Sequence, residues 1–221
     1  MNLLTAEHLK KSYTERLLFD DVAFSIGEGD KVALLGNNGA GKSTLLKIIA
    51  GQLAANSGKI STSLNYQTEI GMMPQGDILI DDLTVSDLVY LKSKMNQIDS
   101  INVDEFLDMV ELRDFKNHYV SGLSGGQKRR LSLLLTILNS PKLIFLDEPT
   151  TGMDLESVDN FWKLLEKQNF TSVVVTHDFN QIDHFFTKVL ILKNGRIAAH
   201  ESVEEIHKAG KTIEQFYREK V

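Results

Sequence analysis

Cysteine is absent from this 221-residue chain. That excludes a disulfide framework, a thiolate metal site and a cysteine nucleophile. Only three prolines occur, Pro74, Pro141 and Pro149, and there is no low-complexity linker or internal repeat. Long apolar runs are missing too. Uninterrupted stretches such as Leu133–Leu135 and Val173–Val175 fall far short of the ~20 residues that span a bilayer. Met1–Lys11 lacks the basic segment and apolar core of a signal peptide, so a cytosolic protein is expected. Positive charge is also in deficit: 24 Lys+Arg face 30 Asp+Glu, for a net charge of −6. Nucleic acid is therefore not expected as the main partner. What remains, 42% apolar and 24% charged residues, is ordinary for a globular chain. At ~150 residues per domain, the length suits one domain with an added lobe.

Leu3–Leu9, Leu17–Phe19 and Val22–Ile26 read as short strands, followed by a turn at Gly27–Asp30. Lys31–Leu35 is a continuous apolar strand, and Ser43–Ala50 a helix ended by Gly51. Residues 77–122 read as helical, with Val85–Met95 and Val103–Leu112 carrying apolar residues at helical spacing. A further helix opens at Ser124–Gly126 and runs to Asn139, before Ser140-Pro141. Lys142–Leu146 and Thr171–Thr176 are buried strands separated by a helix at Leu155–Lys167. Val189–Leu192 and Arg196–Ala199 flank Asn194-Gly195, a strong hairpin signal. Apolar strands alternating with helices predict an α/β fold with a mainly parallel sheet covered on both faces.

The run Gly36-Asn37-Asn38-Gly39-Ala40-Gly41-Lys42-Ser43, continued by Thr44, matches the phosphate-loop pattern G-x-x-x-x-G-K-[ST]. Glycines let backbone N–H groups turn toward phosphate oxygens, and the following helix offers its positive N-terminus to the same anion. Lys42 is expected on the β- and γ-phosphates and the Ser43 hydroxyl on Mg²⁺. The strand ending in Asp147-Glu148 supplies two carboxylates at the edge where open parallel sheets bind ligands. Asp147 is expected to ligate Mg²⁺ and Glu148 to polarise the attacking water.

Leu123-Ser124-Gly125-Gly126-Gln127 is a second Gly-rich helix start able to hold phosphate. A plain Ser124 N-cap explains the serine but not Gly-Gly-Gln. Its helix is expected to point away from the first loop, so two chains would be needed to sandwich one nucleotide. With this element the chain resembles the ATP-binding cassette (ABC) ATPases over nearly its whole length. The resemblance implies a phosphate-loop NTPase core with an N-terminal antiparallel β subdomain and an inserted α-helical subdomain. It divides a single 1–221 domain into the β subdomain at 1–30, a RecA-like core at 31–76 and 123–221, and the helical signature subdomain at 77–122. It further implies that Tyr13 stacks on adenine and that Gln75 meets Mg²⁺ and water. Asp154 would belong to a loop crossing the dimer interface, and His177 would contact the γ-phosphate. Lys42, Gln75, Glu148 and His177 are thus the implied catalytic residues, and Ser43, Gln75 and Asp147 the implied metal contacts. Leu123–Gln127 would act on the nucleotide of the opposing subunit.

The Asp147–Asp154 run and the Gln-Lys-Arg-Arg at 127–130 are similar to the group exporting drugs, peptides, bacteriocins or polysaccharides. The implied protein hydrolyses Mg·ATP as a homodimer and drives a separate membrane permease from the cytoplasmic face of the membrane. The helical lobe around Leu83–Leu88 would help form the cleft that receives the permease. The alternative is an ABC protein without a permease, acting on ribosomes or another assembly, because Leu18–Gly51 is similar to that branch. The basic run Lys128-Arg129-Arg130 reads as a solvated helix face with ion pairs.

Overall fold

The computed structural model describes residues 1–14, 16–168 and 170–221. Among them a nine-stranded sheet forms the frame. Its strands are β1 (Asn2–Tyr13), β2 (Arg16–Gly27), β3 (Lys31–Leu35), β4 (Ser57–Thr62), β5 (Ile70–Met73), β6 (Leu143–Asp147), β7 (Thr171–Val175), β8 (Lys188–Lys193) and β9 (Arg196–Ser202). The spatial order is β4-β1-β2-β9-β8-β3-β7-β6-β5. The β5–β6, β6–β7, β7–β3 and β3–β8 pairs are parallel. β1 pairs antiparallel with β2 and β4.

The two segments expected at 17–19 and 22–26 are one continuous strand, β2: it pairs with β1 on either side of Asp20-Asp21, where the register shifts, and Asp21 itself pairs with Arg196 of β9. β4, polar and mostly exposed, escapes a hydrophobicity reading, yet it extends the antiparallel part of the sheet well beyond residue 30. The Asn194-Gly195 hairpin forms as expected, both residues having positive φ, 48° and 74°.

The helices are α1 (Lys42–Ile49), α2 (Val85–Met95), α3 (Val103–Met109), α4 (Gly125–Ile137), α5 (Leu155–Lys167), α6 (Phe179–Phe185), α7 (Val203–Lys208) and α8 (Ile213–Lys220). Side chains alternate across a strand, so the buried parallel strands feed two cores. Val32, Leu34, Phe145, Val173 and Val175 pack with Leu45, Leu46, Ile48 and Ile49 of α1 and with β1 and β2. Ala33, Leu35, Ile144, Leu146 and Val174 join the opposite core with α4, α5 and the lobe residues Val85, Leu88, Val89, Leu107 and Val120. Together these parts form a phosphate-loop NTPase core with an antiparallel β region and an inserted helical region. No helix among the described residues is long and apolar enough to cross a membrane.

Candidate nucleotide site

Four parallel strands deliver the site from their carboxyl ends. β3 runs into the Gly36 loop, β5 into Pro74-Gln75, β6 into Asp147-Glu148, and β7 into Thr176-His177. A cavity of about 600 Å³ opens there, lined by Tyr13, Arg16, Leu18, Asn38, Gly39, Gly41, Lys42, Ser43, Thr44, Gln75 and Glu148. Asn37, Asn38 and Gly39 are exposed, whereas Gly36 is buried and Ala40 packs partly into the core.

Gly41 caps α1 with φ 101°, and a Cβ there would lie 2.7 Å from Phe19 Cε1. The tight loop-to-helix junction therefore demands glycine. Lys42 is buried, and its Nζ donates to Gly36 O at 2.8 Å and Asn37 O at 3.2 Å. An ammonium has three donors, so two hold the loop in shape. Burial pushes the Lys42 pKa down, while Glu148 and Asp147 oppose that shift.

Burial is also the main cause that raises the Asp147 carboxyl above its ordinary value of 3.8, and the Glu148 charge adds to it. A hydrogen bond from Ser43 and the charges of Lys42 and Lys47 act the other way. Asp147 Oδ1 is buried without a hydrogen-bond partner. A buried, orphaned carboxylate oxygen beside a serine hydroxyl is the hard-oxygen donor set that suits Mg²⁺. No cluster of three His, Cys, Asp or Glu among the described residues could cage an ion. The fit is thus to a cation that takes its other ligands from phosphate and water, as Mg²⁺ does.

Glu148 sits at the cavity's edge with a positive φ of 47°. Its carboxylate accepts from Gln75 Nε2 at 3.0 Å and from the Thr151 hydroxyl at 3.2 Å. His177 Nε2 lies 3.4 Å from its other oxygen. Gln75, Glu148 and His177, far apart in sequence, are thus one connected group. Tyr13 is half exposed at the end of β1, with Lys11 Nζ 5.1 Å from its ring centroid. Arg16, opposite Tyr13 in the strand register, donates to Gly39 O at 3.1 Å. Sequence reasoning passed Arg16 over, although its place in the hairpin beside the aromatic was a usable signal.

The Leu123–Gln127 element does not line this cavity. Ser124 Oγ accepts from Gln127 N at 3.3 Å, and Gln127 Oε1 accepts from Ser124 N at 2.8 Å. This reciprocal capping box accounts for Gln127 as well as Ser124, so local capping explains more of the motif than the serine alone. Leu123 is buried in the lobe core and anchors the loop. A Cβ on Gly126 would meet Ser157 Oγ at 2.8 Å, which packs α4 closely on α5. Asp154 caps α5, accepting from Ser157 N and from the Ser157 hydroxyl, both at 2.9 Å. The backbone N–H of Ser157 is the main cause that lowers the Asp154 pKa. The Gly-rich helix start and the Asp154 loop are thus neighbours, apart from the phosphate loop.

The expected solvated basic run holds in part for Lys128, paired with Asp81 at 3.1 Å, and for Arg130, paired with Glu111 at 2.8 Å, since the ion pairs form but both side chains are partly buried. It fails for Arg129, which is 4% exposed. Arg129 Nε donates to Pro149 O at 2.8 Å and Nη2 to Glu148 O at 2.9 Å. Its Nη1 contacts Gln75 O and Asp77 Oδ1 at 3.0 Å and Pro74 O at 3.3 Å. The partners come from loops distant in sequence, so no local pattern announces them.

A family profile described as ABC transporter matches residues 19–151. The high-affinity zinc uptake system ATP-binding protein ZnuC of Bacillus subtilis is 34% identical over 88% of this chain and 93% of its own. A Nod factor export ATP-binding protein I of Rhizobium etli is 29% identical over 93% of this chain and 71% of its own. Among solved structures, an ATP-binding subunit of an ABC transporter superposes with TM-score 0.87 at 25% identity, covering 99% of both chains. A dimeric bacterial ABC transporter cassette gives 0.80 at 29% identity, covering 90% of this chain and 98% of its own.

Proposed function

The chain belongs to the ABC transporter family and is an ATP-binding and hydrolysing enzyme, and on that premise we propose that two copies close head-to-tail around two Mg·ATP and drive a separate permease. The observation that carries this reading is the split site. The cavity holds the phosphate loop, Gln75 and Glu148 but none of Leu123–Gln127. The Gly-rich start of α4 then has a nucleotide to serve only on a second chain, and a similar cassette is described as dimeric.

In each site one chain contributes Tyr13 to the adenine, and Gly36–Thr44 with Lys42 to the phosphates. The partner contributes Ser124–Gln127 and the loop at Asp154. Ser43 and Asp147, with Gln75 nearby, would hold Mg²⁺, which when bound offsets phosphate charge. Glu148, aligned by Gln75 and His177, orients or deprotonates the attacking water. Most of the catalytic effect is positioning and charge stabilisation around the transferred phosphoryl. ATP acts as the ligand that favours the closed dimer.

A groove of about 640 Å³ between β5 and the helical lobe, with Ile78, Ile80, Leu88, Leu91, Met95 and Leu135 among its lining, suits an apolar segment of a membrane subunit. It begins next to Gln75, so a permease seated there would bear on the loop that aligns Glu148. The protein would then work at the cytoplasmic face of the membrane through that permease, with no role for nucleic acid. Export of a drug, peptide or bacteriocin-like cargo is proposed from the resemblance of the 147–154 and 127–130 runs. Relatives of similar identity serve uptake and export alike, so overall identity carries no direction.

Ser124→Arg tests the composite site. ATP binding by the monomer is expected to survive, while hydrolysis falls by about 100-fold, in the range of losing a transition-state donor. Full hydrolysis by the variant contradicts the composite site.

A further inference from the structure

Arg129 joins the two halves of this machinery within one chain. It lies on α4 little more than one turn beyond Ser124, so the helix that starts with the Gly-rich motif also carries a buried guanidinium. That guanidinium holds two loops at once, Pro74–Asp77 after β5 and Glu148-Pro149 after β6. Ser132, further along the same helix, donates to the same Asp77 oxygen at 2.7 Å.

Two observations tie the clamp to chemistry rather than to packing alone. First, Glu148 has a left-handed backbone, unfavourable for a residue with a Cβ, so something must hold it. Val175 O fixes its N–H at 3.0 Å, and Arg129 binds its carbonyl and the next one. Second, the two clamped loops carry Gln75 and Glu148, whose side chains meet at 3.0 Å.

We propose that Arg129 is a positioning residue for hydrolysis: it holds the Gln75–Glu148 pair in register and fixes that register to the orientation of α4. Because α4 begins with the motif that serves the partner's nucleotide, engagement at one site and water activation at the other move together. The proposal rests on the dimeric reading above and on the assignment of Glu148.

Arg129→Lys in the full chain tests it, because a single ammonium cannot fork to both loops. The expected result is a fall in kcat of about tenfold or more with KM for ATP within about twofold. In a Glu148→Gln background, single-turnover hydrolysis should lose nothing further when Arg129→Lys is added, since the effect runs through Glu148. An unchanged kcat, a matching rise in KM, or the same further loss in the Glu148→Gln background overturns the proposal. Should Arg129→Lys fail to fold, Asp77→Asn decides. It loosens the clamp from the other side, and the same kcat-only loss supports the proposal, while an unchanged kcat overturns it. Full turnover by Glu148→Gln alone removes the assignment of Glu148 and the proposal with it, and this is seen before Arg129 is altered.

Discussion

Asp147 is the residue at which the proposed function works against stability. Its carboxyl is buried with one oxygen unpartnered, and burial raises its pKa above 3.8. Between 3.8 and the raised native value, the folded chain binds more protons than the unfolded one. Stability therefore falls as pH rises through that window, and the ionised group stays destabilising above it. Asp147→Asn removes the charge whose burial is unfavourable, so the nucleotide-free protein should become more stable. Thermal melting should show this as a rise of about 2–4 °C per kcal/mol. The same variant should lose Mg²⁺-dependent ATPase activity, and stabilisation by Mg·ATP should shrink. A variant that melts lower than the native chain would contradict this account of Asp147.

At the scale of elements, α4 and α5 are locked by close approach. A Cβ on Gly126 would meet Ser157 Oγ at 2.8 Å and Ser157 Cβ at 3.2 Å, and that hydroxyl is itself held by Asp154 at the start of α5. Gly126→Ala should destabilise by about 1–3 kcal/mol, as overpacking does, measured by urea unfolding. Adding Ser157→Ala removes the nearer obstacle and should recover most of the loss, giving a clear coupling energy. Simple additivity of the two changes would contradict the contact.

These helices were legible in sequence. α2 and α5 have the bounds expected from sequence, 85–95 and 155–167, α3 ends at Met109 where a helix to Leu112 was expected, and β3 is the apolar run 31–35. β4 was not legible, because Ser57–Thr62 is polar and its place comes from pairing with β1. The short β5, α6, α7 and α8 carry too few apolar repeats to stand out. The residues gathered at the candidate site were legible where a contiguous motif exists, at 36–44 and 147–148. Arg129 was not, since a basic run reads as solvated and only the folded chain brings Asp77 and four carbonyls to it.

At the scale of the whole molecule, one sheet edge gathers Gln75, Asp147, Glu148, His177 and the phosphate loop, while the Gly-rich start of α4 lies elsewhere. An acidic chain of net charge −6 is proposed to hold a polyanion by local means: loop N–H groups, one buried lysine and a helix end. A monomer built this way is expected to bind nucleotide while lacking half of the groups proposed for hydrolysis. The most direct measurement is light scattering of Glu148→Gln with saturating Mg·ATP, with bound nucleotide quantified in the same sample. The expected result is a stable dimer at twice the monomer mass, with about one ATP per chain and turnover reduced by about 100-fold or more, the scale at which loss of general-base assistance is felt. A nucleotide-saturated monomer, or a variant that hydrolyses ATP at the native rate, would contradict the account.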